Sequence, residues 1–272
     1  AAEAFRAAAI GASRDEARPV LRGILFELEA GRLQLTSTDS YRLHHVVLRR
    51  AGLEHWRREV VPAHWRGNVP ARAVELAAKW LGRRPTGRVE LEVVDPNWVA
   101  LRYAGRGRGI VARLIDGEYP NYRSLDPDRY PDAEYGRLEV DAAELRRVAA
   151  VAERVAKDPV LVLELGPRVE ARMLELRTRA APRGFARSWQ VIERARQVIE
   201  GARWEPGPET PSDLRRVAVN PRYLRDALDA AGGPVRIRDA LKPLYLGCRE
   251  RYALIMPVAL PKGYGEAEVQ PG

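Results

Sequence analysis

Cysteine is nearly absent: Cys248 is the only one in 272 residues. One thiol cannot close a disulfide within the chain or build a cysteine-rich metal site, and its simplest role is that of a small buried apolar side chain. Long apolar runs are also missing. No stretch approaches the roughly 18 residues of a membrane span, and no signal peptide is visible. The expected compartment is the cytoplasm. HExxH, GxSxG, P-loop and GxGxxG patterns are all lacking, which removes the commonest routes to metal-assisted hydrolysis, acyl transfer and nucleotide binding. Zinc-finger spacing, an RNP aromatic pattern and a basic zipper are lacking too. Neither a metal nor a cofactor is implied.

Positive charge is abundant. Lys and Arg number 46 against 37 Asp and Glu, a formal charge of +9. Such a balance points to an acidic partner, most often nucleic acid. At this length the chain can bury a sizeable core in one or two domains.

Along the chain, Glu3–Ala12 reads as a helix with Phe5, Ala8, Ala9 and Ala12 on one face, ended by Arg18-Pro19. Leu21–Glu29 and Arg32–Thr36 read as a hairpin about Ala30-Gly31. Thr36–Ser40 is a run of short polar side chains that can turn the backbone before the next strand, His44–Arg49. A loop then leads to Val69-Pro70, which opens a helix over Ala71–Leu81 that Gly82 can stop. Strands over Arg88–Val94, Trp98–Tyr103 and Gly109–Leu114 follow. Asp116–Pro127 reads as a linker.

The same order then recurs. Asp141–Lys157 is a helix with an Asp cap, Val160–Leu165 and Met173–Thr178 are strands, and Asn220-Pro221 opens a helix through Ala231. Pro234–Arg238 and Leu244–Cys248 form a hairpin, and Tyr252–Val258 is a last strand. This repetition indicates an α+β chain of two like modules, each with two helices and antiparallel sheets, bounded at 1–134 and 135–272. Residues 183–213 break the parallel. Val191, Ala195, Val198 and Ala202 are spaced like a helix face, yet a long irregular hairpin fits as well.

The basic residues collect on the four helices. Arg6 points away from the Phe5/Ala8 side, with Arg14 nearby; Arg72 and Lys79 share a stripe that Arg83 extends; Arg147, Arg154 and Lys157 follow one face; Arg222 and Arg225 do the same. A charge run is usually a solvated face. Phosphates recur about every 1.7 Å along a duplex, however, and a shallow field of cations suits them without reading sequence.

At Arg18–Glu27 (RPVLRGILFE), Thr38–Leu43 (TDSYRL), Val69-Pro70 and Gly117–Tyr122 (GEYPNY), the chain resembles the middle domain of the bacterial DNA polymerase III β subunit, the sliding clamp. Val219–Leu228, Leu241–Pro243 and Leu254–Val258 resemble its last domain. The resemblance implies the DNA-clamp fold and a non-catalytic processivity factor of DNA replication. It implies a ring that encircles double-stranded DNA, with Arg6, Arg14, Arg72, Lys79, Arg83, Arg147, Arg154, Lys157, Arg222 and Arg225 facing the duplex. It also implies a groove where polymerase, clamp loader and repair proteins dock a linear peptide. Position by position, that groove falls on Leu21, Thr38, Ser40, Tyr41, Arg42, Leu43, Pro120, Leu125, Pro243, Leu254, Ile255, Met256, Pro257 and Val258. Aliphatic residues, Met and Pro would make an apolar floor for aromatic and aliphatic anchors, with Arg42 orienting the peptide. Without the resemblance, Leu254–Val258 reads as an ordinary buried strand.

Some features depart from the family. It has three domains, and this chain matches two. The strand that should precede the first helix is missing, which leaves a sheet edge unpaired and favours a fragment, whose ring would be a dimer, over a natural two-domain chain closing as a trimer. Ser124 and Ala259 replace residues that are often basic. The tail after Leu260 extends past the usual end and is expected to lie over the groove. Two other functions compete. One is a non-ring, sequence-independent nucleic-acid-binding module. The other is a hydrolase using Asp39, His44, His45 and Asp116, but adjacent histidines on a strand face opposite ways and cannot share a metal.

Overall fold

The computed structural model describes residues 1–29, 31–48, 64–82, 89–103, 108–125, 134–179, 188–261 and 264. The chain divides into two compact units, Ala1–Asp126 with Cys248–Ala253 and Pro127–Gly247 with Leu254–Gly272.

The first unit begins with α1 (Ala2–Ala9), which ends three residues earlier than its apolar face suggested. Its small side chains let it lie close to the sheet beneath. Phe5 packs against Phe26 with ring centroids 6.1 Å apart, and the Ser37 hydroxyl donates to the Ala8 carbonyl. The sheet contains β1 (Gly23–Glu29), β2 (Arg32–Thr38), β3 (Arg42–Leu48) and β4 (Trp65–Pro70), in the antiparallel order β4-β1-β2-β3. Gly31, at φ +74°, makes the tight turn between β1 and β2. Every residue of β1 except the last is buried, because both faces of the sheet are covered. Helices cover one face. On the other, the Tyr119 hydroxyl donates to the Thr36 carbonyl at 3.3 Å, and the Tyr122 hydroxyl donates to Glu27.

β4 occupies what the sequence presents as a loop. Gly67, Asn68 and Pro70 are poor strand formers, but pairing with β1 holds them extended, with Gly67 opposite Phe26 and Val69 opposite Ile24. Gly67 is needed there: a Cβ would stand 2.5 Å from the Trp65 ring. α2 (Ala71–Gly82) follows, burying Ala73, Val74, Ala77, Ala78 and Leu81, and packs beside α1. A second sheet of β5 (Val89–Asp95), β6 (Trp98–Tyr103) and β7 (Arg108–Arg113) completes the unit.

The second unit repeats the scheme. β8 (Gly136–Glu139) leads to α3 (Ala142–Val155), whose Asp141 cap accepts from the Ala143 N–H at 2.9 Å. β9 (Pro159–Glu164), β10 (Glu170–Arg179), β11 (Ser188–Val198) and β13 (Arg216–Val219) form a sheet in the order β11-β10-β9-β13. α4 (Pro221–Ala230) is capped by Asn220, whose side-chain amide oxygen accepts from the N–H groups of Arg222 and Tyr223, and packs beside α3. β12 (Arg203–Glu205), β8, β14 (Val235–Ile237) and β15 (Leu244–Cys248) form the other sheet in that order. The last strand, β16 (Arg251–Ile255), has its first three residues in the first unit and its last two in the second.

The ambiguous segment is a hairpin, not a helix; residues 180–187 at its tip lie outside the described residues. β11 pairs with β10 from Ser188 to Val198, with a bulge where Met173 faces Ala195 and Leu174 faces Glu193. Arg194 is the extra residue. The register puts Val191, opposite Leu176, and Ala195, opposite Met173, on opposite faces of the sheet, so their helix-like spacing does not mark a single buried face.

Candidate functional site

Two sets of residues carry chemistry, the basic helix faces and the apolar groove candidates. On α1 and α2, the exposed cations Arg6, Arg72 and Lys79 have no carboxylate within 4.0 Å among the described residues. Arg6 reaches the end of α2, where the missing side chain of Gly82 leaves room for its guanidinium. Arg14 is exposed in the turn after α1, and Arg83 lies outside the described residues.

On α3 and α4 most cations are answered. Arg147 pairs with Glu144 at 2.6 Å, and the guanidinium beside Glu144 holds its carboxyl below the usual range. Arg225 pairs with Glu153 on the neighbouring helix and with Asp226 at 3.9 Å. Arg222 lies 4.0 Å from Asp226. Arg154 and Lys157 are exposed, and Lys157 stands beyond the end of α3. Sequence reasoning named the cations and overlooked these carboxylates. Glu144, three residues before Arg147, was the readable signal.

The groove candidates divide between the units. In the first, the turn between β2 and β3 is tied by Asp39. Its carboxylate accepts from the N–H groups of Tyr41 and Arg42 at 3.0 Å and from the Arg42 guanidinium at 2.9 Å. The Thr38 hydroxyl donates to the Arg42 carbonyl at 2.6 Å, and Ser40 sits at φ +80°. This turn throws Tyr41 outward, 58% exposed, while Thr38, Arg42, Leu43 and Leu21 are buried. Arg42 therefore braces the turn through its Nε bond to Asp39. Pro120 and Leu125 are exposed on the segment pinned by Tyr119 and Tyr122.

In the second unit, Leu254 and Ile255 are buried strand residues, the ordinary reading of that stretch. Beyond the strand, Met256 is exposed, and Pro257, Val258 and Pro243 are half-buried. Val258 borders a cavity of about 380 Å³, lined also by Arg216, Ala218, Ala240, Leu241, Leu260, Pro261 and Tyr264. Apart from Pro261 and Tyr264, the tail after Leu260 lies outside the described residues. Burial pushes the pKa of the Tyr264 hydroxyl up.

The histidines leave little room for catalysis. His44 is buried, both ring nitrogens lacking a partner among the described residues, and burial with the nearby Arg42 charge lowers its pKa to about 3. His45 faces elsewhere, its Nδ1 2.9 Å from the Thr36 hydroxyl and its ring stacked on Tyr252 at 4.8 Å. Asp39 is engaged by Arg42, and Asp116 is exposed near Arg113. Among the described residues no three His, Cys, Asp or Glu side chains come together as metal ligands would.

Comparison with known proteins agrees with the geometry. Residues 2–121 match the family model for the central domain of the DNA polymerase III beta subunit. The beta sliding clamp of Streptomyces coelicolor is 29% identical over 278 residues, covering 95% of this chain and 64% of that protein. The beta sliding clamp homolog GriR of Streptomyces muensis is 32% identical over 173 residues, covering 61% of this chain and 43% of that one. The chain thus spans less than two thirds of these relatives. In fold, it superposes on the crystal structure of the Bacillus subtilis DNA polymerase sliding clamp with a TM-score of 0.67 at 20% identity, over 96% of this chain and 62% of the other. The first part of the chain thus matches the central domain of the DNA polymerase III beta subunit, and the chain as a whole shares the fold of solved sliding clamps.

Proposed function

We propose that this chain serves as a non-catalytic sliding clamp. As domains 1–134 and 135–272, it would contribute its helices to a self-assembled ring around duplex DNA and tether polymerase, clamp loader and repair proteins by a linear peptide motif. The observation that carries this reading is the pair of packed helices in each unit, apolar residues turned inward and basic ones exposed. Loose, sequence-independent phosphate contacts suit a device that must move along its track. A closed ring of two or three chains would supply retention by topology.

The groove reading rests on the exposed members of the candidate set, Tyr41, Pro120, Leu125 and Met256, together with half-buried Val258. Binding of a labelled peptide with adjacent leucine and phenylalanine anchors, followed by fluorescence polarisation, tests it. The expected Kd is micromolar, on the order of −8 kcal/mol. Met256→Asp should weaken binding sharply by placing a charge on an apolar surface while leaving thermal stability near that of the parent. Leu43→Asp is the poorer test, because Leu43 is 3% exposed and a carboxylate there would unfold the sheet. Unchanged affinity in Met256→Asp would count against the groove.

A further inference from the structure

In the second unit, the chain beyond β16 lies against its own sheet. The Val258 N–H donates to the Ala218 carbonyl at 2.8 Å, and Val258, Leu260 and Tyr264 pack on the cluster of Val160, Val162, Leu174 and Ala218. Tyr264 goes furthest. Its ring sits 5.2 Å from the Arg172 guanidinium and 5.4 Å from that of Arg216, in the geometry of a cation–π contact. Both guanidiniums are set in advance by Glu164, which pairs with each at 3.3 Å. The seat is therefore built from the sheet itself, and Tyr264 closes one side of the cavity beside Val258.

The hold on this ring is incomplete. The Tyr264 hydroxyl is buried without a hydrogen-bond partner among the described residues, and the Arg216 bond to the Tyr264 carbonyl is long at 3.5 Å. Leu241, on the cavity's rim, remains 64% exposed. The sheet beside the cavity thus already seats an aromatic ring. One left with an unsatisfied hydroxyl is held less firmly than a core tyrosine.

We propose that Tyr264 is a displaceable wall of this cavity, so that the chain's own tail competes with the incoming peptide for the second unit's share of the groove. The inference rests on the groove reading above. A docked tail lowers apparent affinity by the fraction of molecules left open, so a tail docked about four fifths of the time weakens peptide binding about fivefold.

The test compares four forms of the chain by fluorescence polarisation with the leucine–phenylalanine peptide: native, truncated after Pro261, Tyr264→Ala and Tyr264→Phe. Truncation and Tyr264→Ala should each tighten binding about fivefold. Tyr264→Phe should act oppositely, because removing the unpartnered hydroxyl seats the tail more firmly; peptide binding should weaken about threefold. A merely structural role for Tyr264 would not produce opposite signs from Ala and Phe. Equal affinity in all four forms overturns the inference and leaves the groove standing. Absence of binding in all four removes the groove reading and the inference with it.

Discussion

Each unit has five candidate DNA-facing cations by sequence, but the cations on the two pairs of helices keep different company. On α1 and α2, Arg6, Arg72 and Lys79 have no carboxylate within 4.0 Å among the described residues. On α3 and α4, Arg147, Arg222 and Arg225 each have an acidic neighbour on their own or the adjacent helix. A paired guanidinium still attracts phosphate, but its field at a distance is largely cancelled by its partner, and breaking the pair costs part of what the new contact gains. The first unit therefore presents charge ready for a polyanion. The second presents charge used partly to bind its two helices together, as Arg225–Glu153 and Arg146–Asp229 do. A count of cations along the chain would have rated the two units alike.

The largest expected difference between them appears in acid. All four histidines lie in the first 126 residues, and His44 is neutral in the fold, its pKa lowered to about 3 from 6.5. The unfolded chain binds that proton near pH 6.5 and the folded chain does not. Stability from His44 is thus fully present above pH 6.5 and lost as pH falls toward 3, at up to about 1.4 kcal/mol per pH unit. Amide hydrogen exchange at pH 7 and pH 4.5 should show protection falling in β1–β3 well before α3 and β9. Equal loss in both units would remove the distinction.

How far the residues alone foretold this molecule depended on whether the signal was local. The four helices were legible because apolar spacing, the Asp141 and Asn220 caps and Pro221 all act within one turn. The tie between Asp39 and its turn was legible for the same reason. β4 was not, since Gly67, Asn68 and Pro70 are held extended only by pairing with a strand some forty residues away in sequence. The helix-like spacing of Val191, Ala195 and Val198 left hairpin and helix undecided until strand pairing settled it. At the candidate site, exposure was the missing quantity: Leu43 and Met256 look equally apolar in sequence, yet one is 3% and the other 38% exposed. The position of Tyr264 over two arginines separated from it by tens of residues has no local signature at all.

On duplex DNA the comparison becomes a difference of salt slopes. Replacing Arg72 and Lys79 by Ala should reduce the slope of log K against log salt by about 1.8, since each free cation at a phosphate contributes about 0.9. The matching pair in the second unit, Arg147→Ala with Arg225→Ala, should reduce it by clearly less, because those charges are already partly neutralised. Titrations of a labelled duplex at several salt concentrations measure both. Equal slopes for the two double variants would mean that the acidic neighbours give way whenever DNA arrives.

The smallest effect separates pairing from position. If the second unit's cations are muted by their carboxylates, removing a carboxylate without touching the cation should restore them. Glu144→Gln keeps the shape of the side chain and frees Arg147, so duplex affinity should rise modestly and the salt slope should steepen by less than about 0.9. Arg147 is exposed, so the fold should lose little stability, which a thermal melt checks. Arg147 and Glu144 are three residues apart on one turn of α3, and the released guanidinium keeps the same reach it had when paired. A slope left unchanged by Glu144→Gln would show that Arg147 stands too far from the phosphates to matter in either state. The contrast between the units would then be one of placement on the helix, with pairing only its accompaniment.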